Sequence, residues 1–81
     1  MSETGAIPAW TLRDRLRKAR EHADMTQAVL ACEIGIARSS VVSYETGRTL
    51  PSRPVLLSWS LVTGVSLPWL LDARHLAKAA S

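Results

Sequence analysis

Residues 25–47 read MTQAVLACEIGIARSSVVSYETG, two short helical stretches joined by a tight glycine-containing turn and closed by a second glycine. Thr26 is placed to cap the first stretch, Gln27–Ile34, because its hydroxyl can accept a backbone N–H from the first turn. Leu30, Ala31 and Ile34 supply that helix's apolar face. Gly35 follows directly, a residue free to take the left-handed conformation at a helix C-terminus, and Ile36 plugs the gap before the next helix. The second stretch begins at Ala37 or Arg38 and runs to Thr46, where Gly47 stops it. The small side chain of Ala31 lets the two helices approach closely.

The rest of the chain must cover this pair, and its length sets the scale. With 81 residues, 47% of them hydrophobic, the chain forms one domain with one modest core and buries about 60% of its unfolded surface. Ten Lys and Arg oppose seven Asp and Glu, a formal charge of +3, and a balance that small leaves the argument to where the charges sit. Cys32 stands alone, which excludes an intramolecular disulfide and zinc-finger spacing. Its place in an apolar helix predicts a small buried hydrophobe. No apolar run approaches the roughly 18 residues of a membrane span, and the N-terminus has neither the basic start nor the apolar core of a secretion signal. These features predict a soluble protein of the reduced cytoplasm.

Residues 1–10 mix small, polar and turn-forming types without periodicity and read as a flexible N-terminal arm. Residues 11–72 form the domain, and residues 73–81 a helical extension or tail. Thr11 with Asp14 three positions on resembles a capping box, and Leu12, Leu16, Ala19 and Ala23 then fall on one face of a helix ending near residue 23. Its other faces carry Arg13, Arg15, Arg17, Lys18 and Arg20, half of the chain's basic residues. That basic side is either a solvated face or a source of attraction for phosphate.

Ser52 is placed to cap a fourth helix, with Arg53 and Pro54 in a first turn that tolerates proline, and Gly64 closes it. Leu56, Trp59 and Thr63 share one face, while Leu57, Leu61 and Val62 make the others apolar too, so this helix needs cover on two sides. Ser66 caps a fifth helix that begins with Leu67, Trp69, Leu70 and Leu71, and the tail extends it to about residue 79.

In the third helix Val41 and Tyr44 turn inward, which leaves Arg38, Ser39, Val42 and Ser43 on the outer side. This face is short and carries little charge, as a base-reading face does. Arginine can make two hydrogen bonds to guanine, serine can donate to or accept from any base, and a valine methyl can meet the thymine methyl. A polar helix face bathed in water is the plain alternative. Two helices around a tight turn form the unit that lays its second helix in the major groove of DNA.

The pieces LRDRLRKAR, MTQAVLACEIGI, RSSVVSYETGR, PSR and GVSLPWLL, in that order and spacing, resemble the helix-turn-helix domain of the lambda-type Cro and repressor proteins, the XRE family. The resemblance covers residues 12–71 and implies an all-α, five-helix lambda-repressor-like fold. It implies that Thr26 and Gln27 touch the DNA backbone and that Arg38, Ser39 and Ser43, with Val42 beside them, read bases. It places Thr46 and Arg48 at phosphates, with Ser40 also toward the DNA backbone, and by analogous placement it directs Arg53, at the start of the fourth helix, to phosphate or the minor groove. It also pairs Arg20 with Glu45, an arginine–carboxylate fork that would fix the angle of the recognition helix. Two departures stand out. Ala37 replaces the usual serine or threonine cap of the recognition helix, and Ser60 and Thr63 replace apolar residues, which predicts a shifted packing around Trp59.

The resulting expectation is a sequence-specific regulator binding a double-stranded operator, a repressor of the phage or prophage type that excludes polymerase by occlusion. One such domain makes few base contacts, so a homodimer through the fourth and fifth helices, spanning half-sites about one DNA turn apart, is expected. The alternative is a helical protein-interaction module, such as an antitoxin or antirepressor-like domain. An enzyme is the weakest reading: His22 and His75 lie far apart, with no nucleophile, metal cluster or phosphate-binding loop beside them. No catalytic residue, cofactor, metal or small-molecule ligand is inferred.

Overall fold

A computed structural model describes residues 12–71. Within them the chain is all-helical: α1 (Leu12–His22), α2 (Gln27–Ile34), α3 (Arg38–Thr46), α4 (Arg53–Thr63) and α5 (Leu67–Leu70). The proposed arm, the Thr11 cap and the C-terminal extension, His75 included, lie outside the described residues.

The stop signals act through local chemistry. The Thr26 hydroxyl accepts the Val29 N–H at 3.1 Å, and Gly35 ends α2 at φ 89°. Both the Gly35 and Ile36 amides then return to the Ala31 carbonyl, closing the last turn. Gly47 repeats the device at the end of α3, where its φ of 80° calls for glycine. Asp24 takes φ 58° in the turn between α1 and α2, a conformation that aspartate tolerates better than most residues.

The core is Leu16 and Ala19 of α1, Leu30 and Ala31 of α2, Val41 of α3, Leu56 and Trp59 of α4, and Leu70 of α5. Trp59 lies at its centre, fully buried. Its indole N–H donates to the Leu16 carbonyl at 3.1 Å, and its ring meets Tyr44 edge-on at 6.4 Å. Such a side chain contributes area, an aromatic contact and a satisfied donor together. The Thr63 hydroxyl donates to the Trp59 carbonyl at 2.7 Å and that of Ser60 to the Val65 carbonyl at 2.6 Å. The polar departures in α4 are therefore absorbed by backbone carbonyls beside the buried indole.

Four readings of the sequence need correction. Cys32 is exposed, not buried. It lies two residues, some 200°, beyond Leu30 at 3.6 residues per turn, which carries it to the far side of α2. Ser52 occupies the cap position of α4 without a side-chain bond to it. Helix α4 packs against α1, α2 and α5, yet Leu57 and Leu61 are left exposed, the latter 83%. The basic side of α1 is neither wholly solvated nor wholly open to phosphate. Arg15 is buried, its guanidinium 4.9 Å from the Trp69 ring centroid and donating to the Trp69 carbonyl at 3.2 Å.

Candidate nucleic-acid interface

Helix α3 packs on α1 and α2, and the contact that carries most charge is at its C-terminal end. The Glu45 carboxylate, its side chain only 3% exposed, accepts three hydrogen bonds. Arg20 supplies two as a fork, Nε to Oε2 at 2.7 Å and Nη2 to Oε1 at 3.1 Å, and the Gln27 amide adds a third at 3.1 Å. The remaining Nη1 of Arg20 donates to the Met25 carbonyl at 2.8 Å. One carboxylate thus joins the end of α1, the turn after it, the start of α2 and the end of α3. A buried charge with this many partners is costly to disturb, because removing either side strands the other away from water.

With Glu45 and Val41 turned inward, the opposite side of α3 is left to solvent. Arg38 and Ser39 are exposed, and Val42 and Ser43 are half-buried at its edge. Arg38 makes no bond or ion pair with any described residue. The helix starts from Ala37 in extended conformation, with no side-chain cap, and its first turn closes onto the Ala37 carbonyl through the Ser40 and Val41 amides. Ser40 is half-buried, and its amide is taken up by that carbonyl.

The residues assigned to the DNA backbone fall into three settings. Thr26 is exposed, and since its oxygen already accepts the Val29 amide, its hydroxyl proton is left for an outside acceptor. Gln27 holds Glu45 with one N–H of its amide and retains the other. Thr46 and Arg48 flank Gly47, exposed, and both return to the Ser43 carbonyl, Thr46 by its hydroxyl at 3.2 Å and Arg48 by its amide at 3.0 Å. Arg53, in the first turn of α4, is exposed, and no bond within the described residues links it to the rest.

Two residues that sequence reasoning left out belong to this surface. Arg13 donates to the Thr46 carbonyl at 3.4 Å, placing a positive group at the C-terminal end of α3. Thr49 places its hydroxyl 2.9 Å from that of Ser43. Neither shows in periodicity, since Arg13 and Thr46 lie 33 residues apart on different helices and Thr49 lies beyond the end of α3. Among the described residues no cluster of His, Cys, Asp or Glu could hold a metal, and no helix is long and apolar enough to cross a membrane.

Comparison with known proteins agrees with this geometry. A family model described as helix-turn-helix matches residues 16–70, from the core of α1 to the end of α5. The chain is also similar to an uncharacterized HTH-type transcriptional regulator, YqaE of Bacillus subtilis (strain 168), with 34% identity over 61 residues, 75% of this chain and 53% of that protein. The chain spans about half the length of that curated relative. With the match covering most of an all-helical domain, the chain belongs to the XRE-type helix-turn-helix family, a family of DNA-binding domains and not of enzymes.

Proposed function

We propose that this domain is a sequence-specific transcriptional regulator, a repressor that occludes its operator as a homodimer. The observation that carries the reading is the contrast across α3: one side is held by the buried Glu45 network, and the other presents the Arg38 and Ser39 side chains with no partner among the described residues. Base reading falls to Arg38, Ser39, Ser43 and Val42. Orientation on the duplex falls to phosphate contacts from Thr26, Gln27, Thr46 and Arg48, with Ser40 and Arg53 at the margins. The Arg20–Glu45 pair sets the angle at which α3 meets the groove.

The dimer is proposed through α4 and α5. Residues 54–71 contain no charged side chain, and Leu57, Leu61 and Trp69 are exposed there. Sedimentation at tens of micromolar and on a two-half-site duplex tests this; a monomer in both would defeat the dimer while leaving DNA reading intact. The same exposed leucines favour the second reading, a protein-interaction module. Gln27→Ala and Arg38→Ala separate the two. A regulator binds its operator more weakly in both variants, and unchanged binding, or none in the parent protein, would favour the interaction module.

A further inference from the structure

We infer that Thr49 is a positioning residue for sequence recognition, acting through the Ser43 hydroxyl. The inference rests on the reading of α3 as a DNA-reading helix. Ser43 lies one turn after Ser39 on the outer side of α3 and is the last of the proposed base-reading residues along the helix. A lone serine is a weak reader. Its χ1 has three staggered wells, and its hydroxyl rotates freely as donor or acceptor, so it gives similar bonds to several bases. Ser43 is not alone, because its Oγ lies 2.9 Å from Thr49 Oγ1, within hydrogen-bond distance.

The backbone holds Thr49 in that place. Gly47 turns the chain back at φ 80°, and the Ser43 carbonyl then accepts the Arg48 amide at 3.0 Å, the Thr49 amide at 3.5 Å and the Thr46 hydroxyl at 3.2 Å. Thr49 is therefore fastened to the same residue twice, by main chain and by side chain. Its own side chain is exposed and has no other partner among the described residues. This arrangement selects one χ1 well for Ser43, leaving its oxygen at one position at the groove-facing edge with hydrogen-bonding capacity to spare. Thr49 touches no base in this scheme. It narrows which base Ser43 can satisfy.

The test is selection of bound sequences from random duplex DNA, at one stated salt concentration, for the parent protein, Thr49→Val, Thr49→Ser, Ser43→Ala and the Ser43→Ala/Thr49→Val pair. Thr49→Val keeps shape and loses the hydroxyl. It is expected to reduce base preference at a single position of the half-site by roughly two- to tenfold, the range for one net hydrogen bond, while preferences elsewhere and the melting temperature hold. Thr49→Ser restores the hydroxyl and is expected to keep the parent preference. In the Ser43→Ala background, Thr49→Val is expected to change nothing further, since the effect runs through Ser43. A parent motif that Thr49→Val leaves unaltered would overturn the role of Thr49 alone. A uniform loss of affinity across all positions would also overturn it, marking Thr49 as a phosphate or folding residue. No motif from the parent protein would overturn the DNA-reading assignment and this inference with it.

Discussion

The arginines of α1 and those of α3 and its flanks have the same chemistry and opposite surroundings. Arg20 is locked onto Glu45, Arg15 lies buried against Trp69, and Arg13 donates to the Thr46 carbonyl. Arg38, Arg48 and Arg53 are exposed and make no bond or ion pair through their side chains with any described residue. Between these groups stand Arg17 and Lys18, in loose exposed pairs with Asp14 at 4.0 Å and Glu21 at 3.8 Å. The formal +3 charge thus hides a division of labour. Arginines that meet a carbonyl, carboxylate or aromatic ring within the fold build the platform, and those that meet nothing within it are free for phosphates and bases. A guanidinium serves both purposes because its fork of donors fits a carboxylate as well as a guanine edge.

The sharpest break in this comparison is Arg20→Met. It leaves Glu45 buried without its fork and is expected to destabilise the domain by about 3–5 kcal/mol, read by urea denaturation. Full stability in that variant would remove Arg20 from the platform. Arg38→Ala is the converse, with stability expected within about 0.5 kcal/mol of the parent. Its operator affinity falls by about 1–3 kcal/mol, with preference relaxed at one base per half-site; a denaturation curve and a binding titration together check both halves.

Smaller effects sharpen the boundary. Arg15→Met is expected to cost about 1–2 kcal/mol of stability through the lost ring and carbonyl contacts. It should leave the salt dependence of DNA binding untouched, which titrations at several salt concentrations would show. Arg48→Ala should do the reverse, weakening binding to all sequences alike and reducing the slope of log K against log salt by about 1. Arg17→Ala, removing an exposed pair, should move stability by less than about 0.5 kcal/mol, and a larger shift in the melting curve would mean that the solvated part of α1 is misassigned.

Much of this fold is legible in the sequence because its punctuation is local. Thr26, Ser66, Gly35, Gly47 and Gly64 act on amides and carbonyls within a few residues, so their types suffice to bound α2, to end α3 and α4 and to start α5. Ser52 shows the limit: its hydroxyl in the cap position is unused, whereas Ser66, followed by proline at the same spacing, accepts the Trp69 amide. The inward turn of Val41 follows from helical spacing, and it is fully buried. Arg15 could not be read, because its partner Trp69 lies 54 residues away in sequence and helical periodicity assigns a charged residue to solvent by default. The apolar composition of α2 predicts burial for Cys32, whereas its angle from Leu30 decides its exposure. The link between Ser43 and Thr49 crosses the end of a helix, where no repeating pattern reaches.

The central claim is that the outer face of α3 reads sequence while its inner face is braced. Selection from random duplex DNA at a stated salt concentration, run in parallel on the parent protein and Arg38→Ala, tests it most directly. The account predicts a defined motif from the parent, and from the variant the same motif with preference lost at one base per half-site, at unchanged melting temperature. No motif from the parent, or an identical motif from Arg38→Ala, would contradict it.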